Sequence, residues 1–432
     1  MVLGALTGYV LTIWVLHGGI TDLSNGGGLL WASLTQLTGL ASSVCGLLGL
    51  VLIARPAWVE RLYGMDRMFV WHRLLGEAMA ILLAIHVVTG VEEYANESGG
   101  VWGAIRDLTG REAYMAGAFV GAVLIGLVTI TSLRSIHRQL SYESWYFVHL
   151  LAYLGFAVSF GHEIVVGGSL SDDRGARALW VLLHVVVLVA IVAGRWGRTL
   201  RSIVRPMRVA SITPLNADVS TIRLRGAGMR RLRAEAGQFF IVRPLRRGLW
   251  WQAHPFSLSS TPTTAGLAFT VKNRGDATDA ITRLPVGAKV AVEGPYGVST
   301  PSRLHQSPAP RYLFIAGGVG IAPVKALLEC LGESSRPIVL YRAHTKADLV
   351  HLGEIESLVA ARSGVVHTLV GPSAKFAGRD PFSAKTLLHA VPDLVDRVAV
   401  LCGPERLVAA ARHGLRAAGV PSERIHFERV WW

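Results

Sequence analysis

The chain has 432 residues, 51% of them hydrophobic, and a formal net charge of +14. The length suggests roughly two to four domains. No nucleic-acid motif accompanies the positive charge, so a nucleic-acid partner is excluded. The three cysteines, Cys45, Cys330 and Cys402, form no CxxC pair, which excludes a disulfide scaffold or zinc ribbon.

Residues 1 to about 200 are dominated by apolar runs, and the remainder reads as soluble α/β sequence. Six runs are expected to cross a hydrocarbon core of about 30 Å: Val2–Leu16, Leu34–Ala54, Trp71–Val91, Tyr114–Leu133, Tyr146–Val166 and Leu179–Ala193. The first is short, but it lacks a basic leader and a small-residue cleavage site and reads as a retained helix. Arginines follow the second run (Arg55, Arg61, Arg67), the fourth (Arg134, Arg138) and the sixth (Arg195, Arg198, Arg201, Arg205). The loop after the third is acidic, with Glu92, Glu93, Glu97, Asp107 and Glu112. This asymmetry places the N-terminus and the C-terminal half in the cytoplasm of a multi-pass cell-membrane protein. Much of the basic excess would then face anionic lipid headgroups.

Ionisable side chains are costly inside a span and mark function there. The third run carries His72 and His86, fourteen residues apart, which puts both on nearly one helix face about 21 Å apart. The fifth carries His149 and His162, thirteen apart, which an ideal helix leaves about 140° out of register. A distorted turn near Gly155 or Gly161, or rotated cofactor planes, is the expected remedy. Both runs point outward, so His72 pairs with His149 near the cytoplasm and His86 with His162 near the outer face. Imidazole is a common axial ligand of haem iron, and the four are metal-ligand candidates for two stacked haems. His17 and His184 have no comparable partner and read as ordinary bundle residues.

From Met207 the chain turns to short strands punctuated by glycine and proline: Met207–Ile212, Thr221–Arg225, Gln238–Val242, Ala268–Lys272 and Lys289–Glu293. They suggest a small antiparallel β-barrel. Within them lies His254-Pro255-Phe256-Ser257-Leu258-Ser259-Ser260, where an aromatic followed by a hydroxyl suits packing against a flavin ring. In Val271-Lys272-Asn273-Arg274-Gly275-Asp276-Ala277-Thr278, Gly275 and Thr278 stand at a helix start that offers free N–H groups to an anion, and Lys272 adds charge.

The strand Arg311–Ile315 leads into Gly317-Gly318-Val319-Gly320-Ile321-Ala322-Pro323 and a helix from Val324. Glycines between strand and helix let backbone approach a pyrophosphate, although the spacing is not GxGxxG. Strands at Ile338–Tyr341, Val365–Val370 and Val398–Leu401 alternate with helices, as a parallel sheet requires. Cys402-Gly403-Pro404 follows the last of these. Arg342, just after a strand, is the candidate for a 2′-phosphate, with Lys346 assisting. No acidic residue directly follows that strand, so NADPH is expected ahead of NADH.

These features together resemble the ferric reductase and NADPH oxidase superfamily: six helices, paired histidines on the third and fifth, and soluble motifs in the same order. The resemblance implies a multidomain membrane protein. It consists of a six-helix transmembrane bundle over 1–200, an FAD-binding β-barrel over 205–305 and an NADPH-binding α/β domain over 306–432. The thirteen-residue spacing is tolerated in that family. HPFSLSS is similar to its FAD signature; the wider ferredoxin–NADP reductase superfamily usually has arginine in place of His254, a departure typical of the transmembrane branch. The resemblance further implies that Phe256 and Ser257 face the isoalloxazine and that His254, with Pro255, lies toward the FAD phosphates. Lys272, Gly275 and Thr278 form a pyrophosphate turn, and Glu293-Gly294-Pro295-Tyr296-Gly297 closes the barrel. Gly317, Gly318, Gly320 and Pro323 match the GGxGxxP turn of ferredoxin–NADP reductase-like domains. Cys402, Gly403 and Pro404 border the nicotinamide, with Cys402 guiding hydride transfer. Trp432, the last residue, covers the flavin and must move for nicotinamide to enter.

The implied activity is electron transfer from cytosolic NADPH through FAD and two haem b groups to an outside acceptor. Dioxygen, giving superoxide, leads. A ferric chelate is the second candidate, and a partner redox protein docking on the acidic loop with Trp102 is the third. No EF-hand loop or proline-rich docking tail is seen, so constitutive activity is expected.

Overall fold

A computed structural model describes residues 2–95, 98–111, 114–166, 168–226, 229, 232–304, 310–376 and 380–427. The chain forms two compact units, Met1–Pro56 with Arg67–Arg195, and Ala57–Asp66 with Trp196–Trp432.

The first unit is helical. Its principal helices are α1 (Val2–Leu16), α2 (Gly27–Ala54), α3 (Met65–Ala95), α4 (Met115–Ser132), α5 (Tyr142–Val165) and α6 (Arg174–Ala190). All six expected runs are therefore helical. Among the described residues five helices are long and apolar enough to cross a membrane: α2 to α5, and the helix Arg174–Val204, which contains α6. That last helix passes through a π-helical turn at Ile191–Trp196 before Gly197–Val204. The sixth, α1, is apolar but only 15 residues long, below the roughly 20 that a full crossing takes. Most of the helices outrun their apolar stretches, because hydropathy marks hydrocarbon while backbone hydrogen bonds continue into polar flanks. Side chains such as Ile81 and Val123 are exposed, as lipid-facing residues of a spanning bundle are.

Glycine sets the closest helix pair. A Cβ added at Gly117 of α4 would lie 2.7 Å from the carbonyl oxygen of Val158 on α5. One at Gly121 would strike the Ser159 side chain and lie 2.8 Å from the carbonyl oxygen of Gly155. This small-xxx-small face lets two backbones meet where no hydrophobic force draws helices together.

The second unit holds two sheets. Six antiparallel strands, β1 (Met207–Pro214), β2 (Val219–Arg225), β3 (Phe239–Pro244), β4 (His254–Ser257), β5 (Leu267–Lys272) and β6 (Lys289–Tyr296), follow the order β4-β3-β6-β1-β2-β5. The sheet curls so that an isolated bridge, Leu258 to Phe269, joins its two edges. Phe240, Leu258, Phe269 and Val271 fill its core. Between β5 and β6 lies α7 (Asp276–Thr282).

The other five strands, β7 (Tyr312–Gly317), β8 (Ile338–Ala343), β9 (Val365–Val370), β10 (Val398–Cys402) and β11 (Ile425–Phe427), are parallel in the order β11-β10-β7-β8-β9. Helices α8 (Ile321–Cys330), α9 (Leu352–Ala360), α10 (Ala384–Ala390) and α11 (Glu405–Ala417) alternate with them. Helices α8 and α9 contribute to one core with Tyr312, Phe314 and Tyr341, and α10 and α11 to the other with Leu313, Ile315 and Leu401. The strands read as continuous apolar runs because both faces of a parallel sheet are covered.

The short helix Ala57–Tyr63 belongs to this unit, and buried Glu60 accepts the Gly297 N–H at 3.0 Å. Burial pushes the Glu60 carboxyl above its usual range, against the opposing pull of Gly297, Arg198, Arg303 and Arg61.

Gly121→Leu should force α4 off α5 and cost about 2 kcal/mol, as overpacking does. The thermal aggregation midpoint of the detergent-solubilised protein would fall; an unchanged midpoint would refute the tight α4–α5 contact.

Candidate functional site

Within the first unit the four histidines meet in two pairs. The rings of His72 and His149 have centroids 6.1 Å apart at 71°, and those of His86 and His162 lie 5.9 Å apart at 52°. Two imidazoles bound trans to one iron at about 2 Å each would place their centroids roughly 6 Å apart. The residues present therefore fit a bis-histidine haem at both levels.

The register problem is met without a break, since α5 is α-helical throughout Tyr142–Val165 and shows no distorted turn at Gly155 or Gly161. The expected local distortion is corrected to an intact helix. The two pairs differ in ring tilt, 71° against 52°, in line with the alternative expectation of rotated planes.

Helix α2 supports one histidine of each pair. The Nδ1 of His72 lies 3.1 Å from the carbonyl oxygen of Gly49, and that of His86 lies 2.8 Å from the carbonyl oxygen of Thr35. A carbonyl only accepts, so each Nδ1 carries the proton and each Nε2 keeps its lone pair for a metal. A Cβ at Gly39 would sit 2.8 Å from His86 Nδ1, and one at Gly49 would sit 3.4 Å from His72 Nδ1. Glycine lets both rings lie against the α2 backbone. On α5, His149 Nδ1 is 3.4 Å from Ser132 Oγ, while buried His162 Nδ1 has no hydrogen-bond partner among the described residues.

A cavity of about 280 Å³ opens at the His86–His162 pair, lined by these two, Thr35, Glu163 and Trp180 among others. Glu163 accepts from Ser43 Oγ at 2.9 Å and from Trp180 Nε1 at 2.7 Å, and His184 Nε2 lies 3.5 Å from it. The sequence reading passed over Glu163, although a carboxylate beside a span histidine is a signal in itself. It also left His184 without a partner.

In the second unit, His254, Pro255, Phe256 and Ser257 form β4, paired with Val242, Ile241, Phe240 and Phe239 of β3. The four are half-buried, and the His254 and Phe256 rings stack at 6.3 Å, as i and i+2 on one strand face should. Gly275 precedes α7 with φ 143°, a conformation open to glycine. The Thr278 hydroxyl accepts the Arg274 N–H at 2.8 Å and donates to the Gly275 carbonyl at 3.0 Å, so it shapes the turn. Lys272 pairs with Asp348 at 3.4 Å. Hydrogen bonds from Thr345 hold the Asp348 carboxyl below its usual range, helped by Lys272.

Strand β7 has β8 on one side and β10 on the other, so the direction of chain progression reverses there. Such a switch point opens a crevice at the carboxyl ends of the strands. Gly317 ends β7, Gly318–Gly320 form a 3-10 turn, and Pro323 lies in the first turn of α8. Cys402 ends β10. A Cβ at Gly320 would lie 2.5 Å from the Cys402 carbonyl oxygen and 2.7 Å from Gly403 Cα, and one at Gly403 would lie 3.0 Å from the Gly317 nitrogen. The Gly317–Gly320 and Cys402–Pro404 turns thus touch backbone to backbone. Tyr341 Oη, which the sequence reading missed, lies 3.3 Å from the Gly318 carbonyl and 3.2 Å from those of Asp348 and Val350, among which its single proton is shared.

Arg342 stands near the end of β8, opposite Gly317. Its guanidinium bonds the carbonyls of Ala343 and Leu369 and lies 4.8 Å over the Phe376 ring. Lys346 lies on the next short turn. Trp431 and Trp432 fall outside the described residues.

Comparison with known proteins agrees with this layout. Residues 38–160 match the ferric reductase like transmembrane component, 204–300 an FAD-binding domain and 314–413 an oxidoreductase NAD-binding domain. The chain is 29% identical over 241 residues to ferredoxin–NADP reductase B of Sorangium cellulosum, covering 51% of this chain and 96% of that one. It is 31% identical over 219 residues to the ferredoxin reductase component of 3-ketosteroid-9-alpha-monooxygenase of Mycolicibacterium smegmatis, covering 46% and 56%. It is 28% identical over 241 residues to the reductase component of propane 2-monooxygenase of Rhodococcus jostii, covering 51% and 62%. The chain thus spans little more than half the length of these last two. It is an oxidoreductase that couples NAD(P)H- and flavin-linked electron transfer to a ferric reductase-like membrane domain.

Gly320→Ala should drive the two glycine turns apart and slow NADPH-dependent flavin reduction at least about tenfold with FAD retained. Wild-type reduction rates in this variant would show that the contact does not matter.

Proposed function

We propose, from the ferric reductase- and NADPH oxidase-like architecture that this chain has, that it carries electrons from cytosolic NADPH through FAD and two bis-histidine haems to an extracytoplasmic acceptor, and that the acceptor is dioxygen, released as superoxide. The observation that carries this reading is the pair of imidazole couples at 6.1 and 5.9 Å inside the membrane helices. One redox group can hardly bridge a core of about 30 Å, which explains two levels.

In this reading six helices, α1 included, make a bundle with the N-terminus and both soluble domains cytoplasmic, and the curled sheet acts as the FAD barrel. The domains run over 1–200, 205–305 and 306–432. When bound, FAD would supply the change from two-electron to one-electron chemistry, accepting one hydride from the nicotinamide and passing its two electrons on singly, as haem b iron requires. His72 with His149 holds the inner haem and His86 with His162 the outer. Phe256 and Ser257 pack against the isoalloxazine, and His254 and Pro255 steer its phosphates. Gly275, Thr278 and Lys272 form the pyrophosphate turn; for Lys272 this means sharing its charge with Asp348. Gly317, Gly318, Gly320 and Pro323 receive the nicotinamide nucleotide beside Gly403 and Pro404, and Cys402 orients the hydride. Arg342 meets the 2′-phosphate with the part of its guanidinium not spent on Leu369, so NADPH is preferred to NADH. Trp432 covers the flavin until nucleotide enters.

The test is turnover of purified protein in air with NADPH and no iron. Rapid NADPH loss with dismutase-sensitive cytochrome c reduction is expected. Slow turnover that accelerates with a ferric chelate would overturn the oxidase assignment in favour of a metalloreductase, and silence with both would point to a protein acceptor.

A further inference from the structure

The two cofactor signatures of the second unit are joined by an ionic cluster around a buried lysine, with one carboxylate of the cluster, Glu354, reaching solvent. Lys325 follows Pro323 of the glycine turn by two residues, and Ser259 follows Ser257 of β4 by two. The Lys325 ammonium, with a side chain only 7% exposed, reaches across to the Ser259 carbonyl at 3.2 Å. It is held by two carboxylates, Glu329 at 2.9 Å and Glu354 at 3.0 Å.

Both carboxylates lead back to the flavin sheet. The second oxygen of Glu329 accepts the Thr261 N–H at 2.7 Å. Glu354 bonds His351 Nδ1 at 2.7 Å, and His351 Nε2 meets Thr270 Oγ1 of β5 at 2.9 Å. Burial pushes the Glu354 carboxyl up, but His351 and Lys325 outweigh it and hold it below its ordinary range. The result is three ties, through Ser259, Thr261 and Thr270, between the curled sheet and helices α8 and α9.

We propose that Lys325 and His351 are positioning residues that fix the dihydronicotinamide against the flavin for hydride transfer. This rests on the reading above that both cofactors bind this unit. The reaction converts NADPH, FAD and a proton into NADP⁺ and FADH₂, and it needs the reacting atoms about 3–3.5 Å apart. An ammonium buried between two carboxylates resists being pulled from either, since an unpaired buried charge is strongly unfavourable. The cluster therefore locks the glycine turn to the flavin strand at one separation. A bond to a main-chain carbonyl such as Ser259 ties the backbone itself, so side-chain rearrangement cannot relieve it.

The experiment is anaerobic rapid mixing of the full-length, FAD-loaded protein with NADPH, following flavin bleaching and the nicotinamide–flavin charge-transfer absorbance. Lys325→Met should lower the limiting reduction rate about 10- to 100-fold. It should also weaken the charge-transfer band, while FAD content and the half-saturating NADPH concentration stay within about twofold. Thr270→Val, which deletes only the tie to His351, should slow reduction about threefold; it decides alone if Lys325→Met fails to retain FAD. Wild-type rates and an unchanged band would overturn the proposal, as would an effect confined to NADPH affinity. Failure of the wild-type flavin to be reduced by NADPH or NADH would overturn the underlying reading as well.

Discussion

Two hydrogen bonds from imidazole nitrogens to helix carbonyls organise the membrane unit. His72 binds the carbonyl of Gly49 and His86 that of Thr35. The donors are fourteen residues apart on α3 and the acceptors fourteen apart on α2, so two antiparallel helices match level for level. In hydrocarbon an unmatched N–H costs several kcal/mol, which makes this register the one that satisfies both rings. It also fixes the tautomer, leaving each Nε2 with its lone pair, and sets each ring beside a histidine of α5. Glycine at 39 and 49 is what lets the rings approach the α2 backbone. Glu163, bonded to Ser43 of α2 and to Trp180 of α6, pins α5 at the level of the His86–His162 pair.

The second unit solves a different problem, holding two nucleotide-like cofactors against each other. The parallel sheet supplies a switch point where Gly317, Gly320 and Cys402 meet through backbone alone. The curled sheet supplies β4 with a half-buried His254-Phe256 face. The two meet in an apolar seam, where Val219 and Ala236 pack with Ile321 and Leu327, and in the charged cluster of Lys325, Glu329, Glu354 and His351. A charged joint is directional, and this one ties Ser259 and Thr261, just past β4, to α8.

Much of this was legible in the sequence, for identifiable reasons. The apolar runs marked all six helices, and Val2–Leu16 and Val365–Val370 have the expected ends. The π-helical turn at Ile191–Trp196 left no trace in hydropathy, because it changes backbone bonding and not composition. The short strand β11 has too few residues for an alternation signal. The histidine spacing foretold the pairing, and of the two remedies expected for the thirteen-residue interval, a distorted turn or rotated planes, the distorted turn is absent from α5. The carbonyl acceptors on α2 were invisible because every residue has one. Lys325 was read as part of an ordinary helix, since its carboxylate partners lie 4 and 29 residues further on and its main-chain partner 66 residues back.

The central claim is that the two imidazole pairs are haem sites, and counting haem on the purified protein tests it most directly. Pyridine haemochrome analysis against protein concentration, with a low-temperature paramagnetic resonance spectrum, should give about two haem b per chain, both low-spin and six-coordinate as two nitrogen axial ligands require. Less than one haem per chain after expression with adequate haem supply, or a five-coordinate high-spin iron, would contradict it.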